Sequence, residues 1–484
     1  MKKIKKIKKI SPILITVIFF VVLFFSMTSY TAANAYFMRR ELMRNSYNKH
    51  QELYMKSILR GTVYDRNGTV LAESHVDENG SQTRSYPYGK AAAHVVGYAV
   101  KDKSGIEAFS NYDLLSTDAS VAERVALAAR GELFPGNNVI STIDAELQKT
   151  IYDAMEGYKG AVIVSNPKTG EILALCSNPS FDPENIEKEW DDLNADESST
   201  SGGSLLINRA TQGLYPVGST FKIITTLAYL NANNNDYASY RYNCHGSFSR
   251  NGETIHCFNS IAHGEVDLKT SFALSCNSSF VNIGLGTDRN VFRDTLKELC
   301  FWEKLPCDLT HNVSTISDPS TADITELMQL SIGQGKTLMT PLHMHMITAA
   351  IANDGLMMKP YLVSAVSNGA GKTLTEFGAD QIKVVMQKEQ SDILRDMMRE
   401  VVVNGTGEVL KNSSYQAAGK TGSAEHREKI NTESGDDAHA WFTGFAPYDN
   451  PEVCVTIILE NAGSSSSYAV PLAKIAFDTY FKNK

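Results

Sequence analysis

Between Lys9 and Arg39 the chain runs for 29 residues without a charged side chain. Crossing the hydrocarbon of a bilayer takes about 20 helical residues, so 11–37 reads as a transmembrane anchor. The alternative is a cleaved leader, because Ala33-Asn34-Ala35 fits the small-residue processing pattern. The run is long for a leader, which favours the anchor. Lysines in the tail 1–10 hold that end in the cytoplasm and put residues 40–484 outside. No second apolar run of this length follows.

Beyond it the pattern turns amphipathic. Residues 38–143 form a small pedestal or interaction segment of short strands and turns with one helix-like stretch, SVAERVALAARGE (120–132). From 144 the periodicities sharpen. Leu147, Ile151 and Met155 recur every fourth position behind Asp144 and stop at Gly157, which predicts a capped helix. GAVIVSNPKTGEILALCS (160–177) is two apolar strands around an Asn-Pro-Lys-Thr-Gly turn. Residues 182–204 hold eight acids, one Lys and a Ser/Gly run, and read as a solvated loop; a gate over a cleft is the sharper alternative. Thr340-Pro341 opens a helix closed by Gly355. Ser391 opens another, with Ile393, Leu394, Met397, Met398, Val401 and Val402 on its apolar face. AWFTGFAPYDNPEVCVTIILEN (440–461) is a second hairpin, and a last helix starts at Pro471. Two hairpins and several helices predict a mixed α/β domain over 144–484, an antiparallel sheet flanked by helices.

Composition adds exclusions. With 43% hydrophobic and 21% charged residues the chain can bury a large core and is not disordered. Six Lys and no acid in residues 1–9 leave the rest of the chain at −14. So acidic a body argues against nucleic acid as a partner. Seven Cys in an exported chain raise the question of disulfides. Cys244/Cys257 and Cys300/Cys307 are each close enough for a local bridge. Zinc is not indicated by spacing, since neither pair is a CxxC and no matching pair follows. Cys176 and Cys454 sit in apolar strands and read as buried thiols. His343 and His345, two apart on a helix, point to opposite sides and share no metal.

Ser-x-x-Lys occurs at Ser46–Lys49, Ser165–Lys168 and Ser219–Lys222, so spacing alone is weak. Only Ser219 follows a Pro-Val-Gly turn and runs into an apolar helix, FKIITTLAYLN. There its oxygen lies beside unsatisfied N–H groups, with Lys222 one turn along. The plain reading is an N-cap serine with a snorkelling lysine. As a base, Lys222 must be neutral, and a free lysine is about three pKa units too basic, roughly 4.6 kcal/mol. Burial or a second cation has to supply that shift. Ser275-Cys276-Asn277 and Lys420-Thr421-Gly422-Ser423 follow at domain-scale gaps. Decoys exist for these as well, but only this set has the order SxxK, SxN, KTG.

That order is the signature of penicilloyl serine transferases, and the chain resembles class B penicillin-binding proteins along nearly its whole length. RGTVYDRNG (60–68), SIGQG (331–335), Thr340-Pro341, GTG (405–407) and AWFTGF (440–445) carry the likeness further. The short segment before the catalytic domain suggests the compact subgroup, and no glycosyltransferase domain precedes it. The resemblance implies a peptidoglycan D,D-transpeptidase. Ser219 would attack the bond between terminal D-alanines of a stem peptide, Lys222 take its proton, and Ser275 relay one to the leaving amine. Asn277 would hold Lys222 and the substrate amide. Lys420 would supply positive potential, and Thr421, Gly422 and Ser423 would line the carboxylate site. Backbone N–H groups of Ser219 and Ser423 would form the oxyanion hole. No cofactor is implied. Implied partners are stem peptides, β-lactam antibiotics and a SEDS-type membrane glycosyltransferase. KTGS replaces the commoner KTGT, and Cys276 at the SxN centre is a candidate oxidisable thiol. A D,D-carboxypeptidase or anchored β-lactamase is the enzymatic alternative, though no motif for a deacylating base is visible. A non-catalytic regulator of a glycan polymerase is the other.

Overall fold

The computed structural model describes residues 11–37, 57–78, 80–195, 204–424 and 438–482. The basic tail, the Ser46–Lys49 tetrad, part of the acidic segment (196–203) and Glu425-His426, which just after the KTGS motif reads as a solvated turn or a substrate contact, lie outside the described residues.

Pro12–Phe37 is one helix, long and apolar enough to cross a membrane. Four of its hydroxyls, those of Thr16, Ser26, Thr28 and Thr31, donate to carbonyls one turn back, as Thr16 Oγ1 does to Pro12 O (3.0 Å) and Ser26 Oγ to Leu23 O (2.8 Å). A helix that meets its own polar demands tolerates an apolar surround.

The half from residue 144 onward is built on a five-stranded antiparallel sheet in the order Ala418–Ala424, His439–Ala446, Val453–Leu459, Gly160–Ser165, Ile172–Asn178. Both predicted hairpins are there, joined to each other by pairing of Val453–Leu459 with Gly160–Ser165. Their residues are buried without a polar face because alternate side chains enter two cores. Val162, Val164, Phe442 and Ile457 pack with Leu147, Ile151, Ala473 and Phe477 of the helices Ala145–Ala154 and Ala469–Lys482. Ile163, Trp441, Phe445 and Ile458 join the core that includes Met344, Ile347 and Leu394 of Pro341–Ala352 and Lys388–Asn404. Asp144 caps the first of these helices by accepting from Leu147 N (2.9 Å), as its spacing predicts. Thr340 likewise accepts from His343 N.

Three expectations need correction. Within 182–204 the structure has a helix, Ile186–Ala195. Ile186 and Leu193, seven apart, bury one stripe with Tyr98 and Phe181 while the acids face out. Ser391 does not start its helix. Gln387 caps it in reciprocal bonding with Gln390, and the buried Ser391 hydroxyl donates to Ile351 O (2.6 Å). The last helix begins at Ala469, two residues before Pro471.

The segment before 144 contributes to a six-stranded sheet that also takes in Val363–Ser367 and Thr373–Glu376. Its own helices, Gly89–Val96, Gly105–Phe109 and Asn111–Leu114, are short and Ala-rich or polar, which hid them from periodicity. Val121–Arg130 forms as predicted but buries no residue. At the centre of this segment Glu107, fully buried, accepts from Arg60 Nε (2.7 Å) and Arg84 Nε (2.5 Å).

Candidate active site

Gly218–Phe221 is a tight 3-10 turn that leads into the buried helix Lys222–Ala232. Backbone contacts on every side fix the turn. Gly218 has φ +51 and donates to Gly333 O (2.9 Å), which accounts for the SIGQG stretch. A Cβ on Gly218 would lie 2.5 Å from Ser423 O. One on Gly422 would lie 2.9 Å from Thr220 N. Trp441 Nε1 donates to Pro216 O (3.0 Å), so the AWFTGF strand pins the turn from below. The Ser219 turn thus lies directly on the KTGS strand, the edge strand of the sheet, where among the described residues no neighbouring strand takes up its outward N–H groups. Ser219 remains partly open to solvent at this edge.

Gly218→Ala is therefore expected to lift the turn off the strand. A shift of about 1 Å at a nucleophile costs on the order of 10²-fold in rate. Acylation kinetics should show that loss with the rest of the fold retained; unchanged kinetics would mean the two backbones are not so tightly apposed.

Behind Ser219, Lys222 and Lys420 are both fully buried and meet at one oxygen. Lys222 Nζ lies 3.2 Å from Ser275 Oγ, and Lys420 Nζ donates to the same atom at 3.0 Å. Lys222 also donates to Ser275 O and to Asn277 Oδ1, each at 2.7 Å. Lys420 also donates to Thr421 O (3.0 Å). Ser275 reaches both amines because its backbone is in the left-handed region, φ +56, which turns carbonyl and hydroxyl the same way. Such a conformation in a non-glycine residue is held by its surroundings and gathers at functional sites.

Burial lowers the Lys222 amine to about 7, against an opposite pull from the thiols of Cys276 and Cys257. Burial also lowers Lys420, and repulsion from Lys222 lowers it further. Neutral Lys222 satisfies every contact: it donates to Ser275 O and Asn277 Oδ1 and accepts from the Ser275 hydroxyl. Among the described residues no hydrogen bond joins Lys222 to Ser219. The tetrad brings the two onto one turn, but the amine is turned toward Ser275 and Asn277, whose two acceptors and one hydroxyl take up its bonding capacity.

The remaining motif residues fall on the strand Ala418–Ala424. Thr421 is buried, with its hydroxyl against that of Thr406. Ser423 is exposed, with its hydroxyl 2.9 Å from Ser465 Oγ. Ser465 donates to Gly422 O (2.7 Å), so the proton in the serine pair belongs to Ser423. Ser465 was not legible in advance; it sits in a run of four serines that reads as a polar turn.

All seven cysteines are free thiols, and Cys176 and Cys454 are buried as expected. Cys244 and Cys257 lie 3.7 Å apart, unbonded, beside Cys276 and His263.

The chain matches known families and relatives along most of its length. Residues 160–478 match the family described as penicillin binding protein transpeptidase domain, and residues 60–139 the penicillin binding protein A dimerisation domain. The chain belongs to the penicillin-binding proteins. Peptidoglycan D,D-transpeptidase PbpA of Mycolicibacterium smegmatis is 31% identical, over 83% of this chain and 84% of that protein. Peptidoglycan D,D-transpeptidase MrdA of Acinetobacter baumannii is 30% identical, over 82% and 66% respectively. The ceftriaxone acyl-enzyme of M. tuberculosis penicillin-binding protein A superposes with a TM-score of 0.78 at 28% identity, over 88% of this chain and 99% of that one. For this penicillin-binding protein the mixed α/β class and the antiparallel sheet are as expected from the sequence.

Proposed function

We propose that this chain is a membrane-anchored peptidoglycan D,D-transpeptidase with Ser219 as its nucleophile. The observation that carries the reading is the meeting of two buried amines at the Ser275 hydroxyl, one turn from an accessible serine. Burial holds Lys222 near neutrality, so it takes the Ser219 proton as Oγ attacks the carbonyl between the terminal D-alanines of a stem peptide. Backbone N–H groups of Ser219 and Ser423 stabilise the oxyanion; one such donor is worth about 3–4 kcal/mol of barrier. Ser275, bonded to both amines, passes a proton to the departing D-alanine nitrogen. Asn277 fixes Lys222 through Oδ1 while its Nδ2 donates to His256 O (2.8 Å). The substrate carboxylate meets Lys420 and the hydroxyls of Thr421 and Ser423, which must turn from Thr406 and Ser465 to donate to it. An amine from a second stem then takes the acyl group, and the cross-link forms. A β-lactam enters as the donor does and leaves a slowly released acyl group on Ser219.

The anchor helix with its basic flank supports an amino end in the cytoplasm and a catalytic body outside. The pedestal, including the exposed helix Val121–Arg130, is the surface we assign to a SEDS-type membrane glycosyltransferase.

The test is incubation with a purified stem pentapeptide and a D-amino acid acceptor, alongside fluorescent penicillin. Exchange or cross-linked product with a stable label supports the transpeptidase. Release of D-alanine to water alone, or rapid loss of the label, makes it a hydrolase. No label makes the chain non-catalytic.

A further inference from the structure

Spacing in the sequence gave no reason to look for a metal, yet the fold gathers Cys244, Cys257, His263 and Cys276 so that their ligand atoms all lie within 4.8 Å of one another. We propose that these four side chains form a tetrahedral zinc site that holds the Ser275-Cys276-Asn277 loop in place.

The distances fit a metal better than a disulfide. Cys244 and Cys257 sulfurs are 3.7 Å apart, Cys257 and Cys276 3.8 Å, and Cys244 Sγ lies 3.3 Å from His263 Nδ1. A tetrahedral zinc ion, with sulfur at about 2.3 Å and nitrogen at about 2.0–2.1 Å, separates sulfurs by about 3.8 Å and sulfur from nitrogen by about 3.6 Å. A disulfide needs about 2.0 Å. Three sulfurs and one imidazole are a soft donor set that selects zinc over the hard cations. All three cysteines are buried and His263 is half-buried, as in a closed structural site.

The surroundings are those of thiolate ligands. Ser278 Oγ donates to Cys244 Sγ (3.1 Å), Gly246 N to Cys244 Sγ (3.4 Å) and Ser279 N to Cys276 Sγ (3.4 Å). Donors aimed at sulfur from a second layer fix the ligands and tune a metal site.

The site also has a job in the fold. Residues 242–266 form two small hairpins, Tyr242–Cys244 with Gly264–Val266 and Ser247–Arg250 with Glu253–His256, and the second is mostly exposed. Excursions with so little core are commonly stapled by a metal or disulfides. Here three ligands come from the excursion and the fourth from the catalytic loop. Cys276 is bonded directly to Ser275, whose left-handed backbone has to be maintained, and to Asn277. A metal on its sulfur ties both to the sheet-like excursion beside them.

Full-length protein purified in detergent without chelator is expected to hold about one zinc per chain. Cobalt added to zinc-stripped protein should give the intense visible absorption of tetrahedral thiolate-ligated cobalt. Cys244→Ser and His263→Ala should weaken metal binding at least about tenfold, and Ser278→Ala by about 10–100-fold. Cys307→Ser, outside the cluster, should bind as wild type does. Wild type with neither zinc nor the cobalt spectrum overturns the site, and so does a Cys244–Cys257 disulfide in protein taken directly from cells. The cobalt titration of wild type decides the matter even if a variant folds poorly. The effect on chemistry rests on the proposed function: stripping zinc should slow acylation of Ser219 and restoring it should recover the rate. Unchanged acylation in stripped protein overturns the positioning role. Metal binding without any acylation of wild type would instead defeat the transpeptidase reading and leave the site standing.

Discussion

Ser219→Ala is expected to abolish labelling by fluorescent penicillin, a loss on the order of 10⁶-fold, and Lys222→Arg to slow it by about 10²–10⁴-fold. The second variant is the more informative. A guanidinium still donates to Ser275 O and Asn277 Oδ1, which accept from Lys222 in the native site. It cannot give up its proton at any ordinary pH. If Lys222 served only to brace the SxN loop, the arginine variant would keep much of the activity. Retained labelling would remove the lysine from the proton path and leave Ser219 in search of another base.

The same reasoning gives a pH dependence. Burial brings Lys222 down to about 7, and its neutral form is the one that accepts a proton. Acylation should therefore be slow below neutrality, rise through about pH 7 and level off above it. A Lys420→Gln variant removes the second buried amine at Ser275. Its profile should keep its midpoint near pH 7, because burial rather than Lys420 lowers the Lys222 amine, while the rate itself falls. An acylation rate flat between pH 5 and 9 would contradict both statements.

What could be read from the sequence followed a physical rule. Runs whose side chains alternate between two buried faces, such as 160–165 and 453–459, appear as unbroken apolar strands and were legible, as were caps whose donors lie three residues on, at Asp144 and Thr340. The three motifs SxxK, SxN and KTG, which the structure brings together around Ser275, were legible by their order, since each decoy lacked the other two at suitable distances. Features that depend on tertiary neighbours were hidden. The acids of 186–195 drown a two-residue apolar stripe that becomes meaningful once Ala93, Tyr98 and Phe181 pack on it. Ser465 is one serine among four until the KTGS strand is laid beside it. The gathering of Cys244, Cys257 and His263 around Cys276 is set by hairpin geometry, and no ligand spacing along the chain records it. The SxxK tetrad placed Lys222 near Ser219, whereas its hydrogen-bond partners come from 53 and 55 residues further on.

Glu107→Ala is expected to cost about 3–5 kcal/mol of stability in the pedestal, the range found when one partner is removed from a buried ion pair. Glu107 is fully buried between two guanidiniums, and Arg60 and Arg84 are themselves about nine-tenths buried. Burial alone would raise its carboxyl, but the two arginines outweigh that and hold it below the ordinary carboxylate range. A depressed pKa contributes stability above the unfolded value, about 4.3 for glutamate, and loses it as pH falls through the folded one. The pedestal should thus weaken in acid below about pH 4, and the alanine variant should have lost that part of its pH dependence. Arg60 also donates to Asn111 Oδ1 (2.6 Å) and Glu107 O (2.8 Å), so the alanine leaves a charge that still has partners but no counter-ion. Hydrogen exchange over 58–141 reports the loss locally, and penicillin labelling of Ser219 reports whether the catalytic half survives it. A loss under about 1 kcal/mol would mean that water reaches the two arginines, as it does in an exposed pair.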